Sequence, residues 1–275
     1  MLKAIAIKLV TLAAAGLCLL LVPPPLGLWL ALAVVLAALG LIAWAVFDVN
    51  SSFWAETLWH NPAMEKCVAL TFDDGPDEVF TPQVLAILRE KSVPGAFFLV
   101  GQRVESSPAL AREIAAQGHL LGNHSFSHGL FINFGLQARL THEIEDCNAA
   151  IEKAAGVKPR LYRPPHGFKN PSLGDALRSL DMQVIGWQVR GFDAVARDPG
   201  RIATRVVDGA QSGGVITLHD GAGLQGSHDR SGTLDALPVI IDGLRARGFK
   251  FVRLDELLKI APYAATQSSP TAPAN

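Results

Sequence analysis

Two long apolar runs open the chain, and shorter alternations of apolar and polar positions fill the rest. Residues 4–22 are apolar apart from Lys8 and Thr11, three prolines at 23–25 interrupt, and Leu26–Phe47 is apolar throughout. Each run is long enough for a helix to cross a bilayer core, which takes about 20 residues. Trp29 and Trp44 stand near the ends of the second run as interfacial anchors. The pattern predicts a transmembrane helical hairpin over residues 1–50. The alternative for the first run is a cleaved signal peptide, but the residues before the prolines lack a small-x-small cleavage site. In a hairpin the remaining chain lies on the same side as the N-terminus, and Lys3 and Lys8 favour the cytoplasmic side by the positive-inside rule.

Residues 48–65 mix aromatic and polar positions (Phe53, Trp54, Trp59), which predicts an interfacial linker over 51–65 with His60 at its surface. From Lys66 onward, short apolar runs at 67–72, 96–100, 119–122, 160–162, 183–187, 214–218 and 249–252 alternate with amphipathic stretches at 82–91, 108–117, 136–155, 171–180, 199–211 and 231–247. Pro82, Pro108, Pro171 and Pro199 open four of these stretches, with Thr81, Ser107, Asn170 and Asp198 before them as expected N-caps. Such alternation implies a parallel sheet with crossover helices. Seven units favour a barrel over an open sheet. The segment 261–275, rich in Ala, Pro, Ser and Thr, predicts a disordered tail.

Composition narrows this picture little. The 275 residues carry a formal charge of −1 with no basic block, which argues against a nucleic-acid partner. Cys18, Cys67 and Cys147 form neither a disulfide framework nor a CxxC metal site.

The polar residues gather where strands end, as expected for chemistry on a parallel α/β barrel. Asp73 and Asp74 follow the first strand, and two adjacent anions make physical sense if a cation binds one and a positive group steadies the other. His124 and His128 follow the third strand, four residues apart, so a helical turn there would bring both imidazoles to one cation together with Asp74. Two histidines and a carboxylate leave positions open for water and substrate. Ser125 is placed to fix the turn through its backbone.

Thr71-Phe72-Asp73-Asp74-Gly75-Pro76, Asn123-His124-Ser125-Phe126-Ser127-His128, Arg163-Pro164-Pro165-His166-Gly167 and Leu218-His219-Asp220 resemble, in order, the motifs of the polysaccharide deacetylase domain (NodB homology, carbohydrate esterase family 4). The resemblance runs over residues 66–258 and implies a distorted (β/α)7 barrel, here a domain over 66–260. It implies that Asp74, His124 and His128 hold a divalent metal, usually zinc, with cobalt, nickel or manganese used by relatives. Asp73 would be the general base toward a water that attacks an amide carbonyl, and Arg163 the cation paired with it. The backbone amide of His166 would face the oxyanion, and Pro165, His166 and Trp187 would belong to the substrate groove. Leu218 would shape a recess for the acyl methyl, His219 would protonate the leaving amine, and Asp220 would support the loop.

One motif departs from the family pattern. Relatives often read Trp-x-x-Asp-x-x-Asp-Trp, whereas this chain has Trp187, Arg190, Asp193 and Ala194 at those positions. Asp193 remains to orient His219, while the altered wall brings recognition of a common chitin-like or peptidoglycan polymer into question. His119, His142 and His228 read as core or loop support, a solvated helix residue and a loop residue, and residues 221–232 as a mobile loop on the active face. The leading expectation is a membrane-anchored, metal-dependent N-deacetylase of amino sugars in a cell-envelope glycan. The alternatives are a deacetylase or deformylase of a polyprenyl-phosphate-linked sugar at the membrane surface, and a non-catalytic sugar-binding protein. By family resemblance the domain would be extracytoplasmic, against the charge bias of the N-terminus.

Overall fold

Side-chain alternation along the central strands creates two environments. In β2 (Cys67–Asp73), Val68, Leu70 and Phe72 join the apolar core beneath the helices, whereas Ala69 faces the inside of the curled sheet, as Thr71 and Asp73 then must. β3 (Gly95–Leu99) and β8 (Gly214–His219) repeat this, with Phe97, Leu99, Ile216 and Leu218 outward and Ala96, Phe98 and Val215 inward. Full burial of one such large side chain contributes about 1.5–3 kcal/mol, so a register slip would be costly.

The computed structural model describes residues 2–129, 131–132, 135–221 and 229–265. Helices α1 (Leu2–Leu21) and α2 (Leu26–Phe47) form an antiparallel hairpin and are long and apolar enough to cross a membrane. At its turn, a Cβ on Gly27 would meet the carbonyl oxygens of Cys18 and Val22. The remaining elements are β1 (Thr57–Leu58), β2, α3 (Thr81–Glu90), β3, α4 (Gly101–Ser106), α5 (Pro108–Ala116), β4 (Leu120–Asn123) and α6 (Gln137–Ala155), followed by β5 (Leu161–Tyr162), α7 (Pro171–Ser179), β6 (Gln183–Ile185), β7 (Val189–Arg190), α8 (Pro199–Gly209), β8, α9 (Ser231–Ala246), β9 (Lys250–Phe251) and α10 (Leu254–Leu258). The order across the sheet is β1-β6-β5-β4-β3-β2-β8-β7, with β9 beside the start of β2, and every strand pair is parallel. This curled parallel sheet with helices on its outside is the expected distorted barrel. Leu254 and Leu257 of α10 close the end opposite Asp73 against Ala69, Leu120 and Val215.

All seven predicted runs are strands, and β1 and β7 are additions. β1 corrects the linker expectation for 51–65. Thr57 and Leu58 pair with Val184 and Ile185 of β6, Trp59 O then accepts the Val215 amide at 3.1 Å, and the Asn61 amide donates to Gly213 O at 2.9 Å. The segment thus fills the gap between β6 and β8, whose facing edges would otherwise leave backbone groups unpaired. His60 Nε2 lies 2.8 Å from Ser212 O at the same seam.

Asn170 and Asp198 cap α7 and α8 through the amides of Leu173 and Arg201. Thr81 and Ser107 do not cap: Thr81 sits inside the first turn of α3 and its hydroxyl donates to Asp220, and the Ser107 hydroxyl donates to Glu78 at 2.7 Å. The expected tail begins as ordered chain, because Tyr263 bridges Pro159 and its hydroxyl accepts the Leu121 amide at 3.0 Å. Residues 266–275, and residues 222–228 of the expected mobile loop with His228, lie outside the described residues.

Candidate active site

Strand register brings the first two functional groups together. Asp73, the last residue of β2, is the register partner of His219, the last residue of β8, so both side chains emerge on the inner face at the same level. The chain then turns through a left-handed residue at Asp74 (φ 72°), which lets the second carboxylate leave the direction taken by the first.

Asp74 Oδ1 lies 3.1 Å from His128 Nε2 and 3.4 Å from His124 Nε2, with all three residues buried. The histidines do not occupy the helical turn expected for their spacing. After Asn123 the chain passes through left-handed residues at Ser125 (φ 68°) and His128 (φ 51°), because local side chains satisfy the backbone in place of a helix. The Ser125 hydroxyl accepts the His128 amide at 3.0 Å, and Asn123 Oδ1 accepts the Ser125 amide at 2.9 Å. Glu143 of α6 accepts the amides of Phe126 and Ser127 and, at 2.7 Å, the Ser127 hydroxyl.

The donor chemistry fits a cation. His124 Nδ1 stands 2.7 Å from the carbonyl oxygen of Arg163, which can only accept, so Nδ1 carries a proton and Nε2 is the nitrogen left facing the Asp74 carboxylate. A carboxylate oxygen and two imidazole nitrogens this close in a buried site are held together by positive charge, protons on the rings or a metal ion in their place. Burial opposes ionisation of Asp74, yet the two imidazoles and the charge on His219 hold its pKa well below the usual carboxylate range. Two nitrogens and one carboxylate suit zinc and its neighbours, with coordination positions to spare.

Behind Asp73 lies Arg163, fully buried. Its Nη1 donates to Asp73 Oδ1 and to the Thr71 hydroxyl, each at 2.7 Å, while Nε and Nη2 donate to the carbonyls of Ile185 and Gly186. Its guanidinium carbon stands 4.0 Å from the centre of the Phe98 ring. Burial lowers the Arg163 pKa, and the Asp73 charge and hydrogen bond work against that shift. Such a buried pair is held in one geometry, and either member alone would be an uncompensated charge.

His219 is gripped by Asp193. Nδ1 lies 3.0 Å from Asp193 Oδ1, and the His219 amide donates to Oδ2 at 2.7 Å, which also accepts the Thr233 hydroxyl at 2.9 Å. Burial alone would lower the His219 pKa. The charge and hydrogen bond of Asp193, followed by the charges of Asp74 and Asp73, raise it to about 9.

A cleft of about 760 Å3 exposes Asp73, Asp74, His124, His128 and His219 together, with Trp187 and His166 in its wall. His166 is left-handed (φ 59°), and among the described residues its amide donates to no backbone or side-chain acceptor. Two expected groove residues are elsewhere. Leu218 faces the helix core, because alternation gives the inner face to Thr217 and His219; Thr217 lines the cleft instead. Pro165 is buried, and its neighbours Pro164 and His166 line the cleft.

The end of α2 is an unexpected part of the wall. Phe47 and Val49 line the cleft, and Phe47 meets Phe168 edge-on with ring centroids 5.1 Å apart. Lys169, buried, donates its amide to Val46 O at 3.2 Å and its ammonium to Val49 O, and Asn50 Nδ2 donates to Trp187 O at 3.0 Å. Burial lowers the Lys169 pKa to about 8. A lone lysine in Gly167-Phe168-Lys169 carries no sequence signal for this contact, since its partners are backbone carbonyls 120 residues away.

Comparison with known proteins gives a consistent answer. The polysaccharide deacetylase family model matches residues 60–185. A peptidoglycan-N-acetylglucosamine deacetylase of Bacillus cereus is 36% identical over 73% of this chain and 92% of its own length. The crystal structure of a peptidoglycan N-acetylglucosamine deacetylase in complex with 4-naphthalen-1-yl-N-oxidanyl-benzamide superposes with a TM-score of 0.70 at 29% identity, covering 80% of this chain and 99% of that one. A pseudoenzyme of carbohydrate esterase family 4 from Bacillus anthracis superposes with a TM-score of 0.66 at 26% identity, covering 74% and 68% of the two chains.

Proposed function

The chain belongs to the polysaccharide deacetylase family, and on that premise we propose that it is a metal-dependent hydrolase removing N-acetyl groups from amino sugars of a cell-envelope glycan, anchored in the cell membrane by α1 and α2. The observation that carries the reading is the convergence in one cleft of the Asp74, His124, His128 cage with the Asp73–Arg163 and His219–Asp193 pairs.

Asp74, His124 and His128 would hold a divalent cation, zinc by their donor set or cobalt, nickel or manganese, and that ion would supply Lewis acidity to the reaction. Asp73, hydrogen-bonded and ion-paired to Arg163, accepts the proton of the attacking water. The His166 amide donates to the oxygen that becomes negative as the carbonyl carbon turns tetrahedral. His219, protonated and aimed by Asp193, gives its proton to the sugar nitrogen as the C–N bond breaks, so acetate and a free amine leave. Trp187 forms a wall of the sugar groove. Because the oxyanion donor is main chain, the imidazole of His166 leaves that role intact.

Phe47 and Val49 favour a second reading, deacetylation or deformylation of a polyprenyl-phosphate-linked sugar, since a cleft walled by the end of an anchor helix meets substrate at the bilayer surface. A non-catalytic sugar-binding role is the weaker reading: a related pseudoenzyme exists, but this chain keeps base, acid and cage. A peptidoglycan substrate requires the extracytoplasmic side, whereas Lys3 and Lys8 favour the cytoplasmic one; reporter fusions at the C-terminus decide between them.

The test is release of acetate or formate by the zinc-loaded full chain in detergent from N-acetylated glucosamine oligomers and from a short-chain lipid-linked sugar. Release that a chelator abolishes and zinc restores supports the reading. Metal bound at one equivalent with no release from any amino sugar contradicts it.

A further inference from the structure

The cleft has one wall whose charge the catalytic groups leave unused. Arg190 of β7, the register partner of Thr217, lines the cleft and rests on Phe192 with its guanidinium carbon 3.9 Å from the ring centre. Arg205 of α8 stands 4.5 Å from the centre of the same ring. Among the described residues neither guanidinium has a carboxylate partner. Asp193, three residues from Arg190, is committed through both oxygens to His219 and Thr233. A third cation, Arg230, also lines the cleft, and it bonds the carbonyls of Gly221, Asp193 and Ala194 rather than an anion. Burial and the like charge of Arg205 both lower the Arg190 pKa, as expected for cations held together without a counter-ion.

Arg190 and Arg205 both pack on the Phe192 ring, which gathers two positive charges beside the cleft, and a negative group bound there would be attracted by both. Stacking on Phe192 fixes the plane of Arg190, and a fixed guanidinium plane offers paired donors that match the two oxygens of a carboxylate or phosphate. A neutral sugar polymer gives such a group only hydroxyl and carbonyl acceptors. We propose that Arg190, with Arg205 beside it on Phe192, is an oxyanion subsite of this cleft, and that the substrate is an amino-sugar glycan bearing a phosphate or carboxylate near its N-acyl group. The inference rests on the deacetylase reading for its kinetic form, while the subsite itself can be tested by binding alone.

The experiment compares acetate release by the zinc-loaded full chain from three substrates: a neutral N-acetylglucosamine disaccharide, a disaccharide carrying the lactyl carboxylate of N-acetylmuramic acid, and N-acetylglucosamine 1-phosphate esterified to a short prenyl chain. The expected result is a KM for at least one anionic substrate about tenfold or more below that for the neutral one, rising with ionic strength. Arg190→Gln should lower the anionic-to-neutral ratio of kcat/KM by about tenfold or more, mainly through KM, and Arg190→Lys should restore only part of it. Whichever anionic arm responds identifies whether phosphate or carboxylate is read. Equal effects of Arg190→Gln on neutral and anionic substrates overturn the proposal. Should no substrate turn over, binding of inorganic pyrophosphate to the metal-free chain separates the two claims: affinity lost in Arg190→Gln and in Arg205→Gln keeps the subsite while the deacetylase reading falls, and affinity unchanged in both removes the subsite.

Discussion

Asp193 meets His219 twice, once at Nδ1 over 3.0 Å and once at the backbone amide over 2.7 Å. The double contact fixes both the ring and the strand end that carries it, so the imidazole has no freedom to turn its Nδ1 elsewhere. Burial pulls the His219 pKa down, but Asp193, then Asp74 and Asp73, lift it to about 9. A raised pKa means that the contribution of this pair to folding is fully present below the unfolded value near 6.5 and is lost as pH rises through about 9. A cation in the cage offsets part of the Asp74 effect, so the loaded enzyme should lose activity at a lower pH than the metal-free geometry alone implies. Asp193→Asn should therefore move the alkaline limb of kcat/KM down by about one pH unit or more and cut kcat by about 10²-fold or more. A pH-rate profile of the two proteins checks this; superimposable alkaline limbs would remove Asp193 from the role of orienting His219.

The segment at Thr57–Asn61 makes a prediction about truncation. A chain lacking residues 1–50 keeps the strand that joins β6 to β8, whereas one lacking 1–65 leaves both edges open. Loss of that strand should cost on the order of 3 kcal/mol, which for a domain of this size lowers Tm by roughly 6–12 °C relative to the longer truncate. Thermal unfolding of the two proteins, each at the same metal loading, measures it.

Gly75 sits where a Cβ would run into the Asp220 carboxylate, which is buried and accepts the Thr81 hydroxyl. Burial, with Asp74 and Asp73 adding to it, raises the Asp220 pKa to about 7, so this group has little surplus hydrogen bonding to trade for a shift in position. Gly75→Ala should destabilise the protein by about 1–3 kcal/mol and displace the Asp73-Asp74 turn, lowering metal affinity as well as activity. Chemical denaturation alongside metal titration checks both effects, and an Ala variant with wild-type metal affinity would show that the turn tolerates the methyl group.

Periodicity carried much of this structure. Alternation of apolar runs and amphipathic stretches foretold seven of the nine described strands and six of the helices, because each must bury one face to be stable. Asp73, Asp74, His124, His128, Arg163 and His219 were legible because they stand at strand ends, where a parallel barrel collects its loops. The misses have a common cause in contacts that side-chain pattern does not encode. β1 is held by backbone pairing across a gap that exists only in the folded sheet. Lys169 bonds backbone carbonyls far away in the chain. The histidine loop is shaped by Asn123, Ser125 and Glu143 rather than by helical spacing. Leu218 was misplaced where the sequence did hold the answer: period-two alternation from His219 gives the inner face to Thr217.

Zinc content and acetate release, measured side by side in Asp73→Asn and Asp74→Ala, test the roles of the two carboxylates most directly. The two residues are neighbours in sequence with separate duties, Asp74 in the cage with His124 and His128 and Asp73 paired with Arg163. Asp73→Asn should keep about one equivalent of zinc and lose turnover by roughly 10²–10⁴-fold, as removal of a general base should. Asp74→Ala should lose the metal and the activity together. If both substitutions merely empty the cage, or if Asp73→Asn retains turnover, the division of labour between the two carboxylates is contradicted.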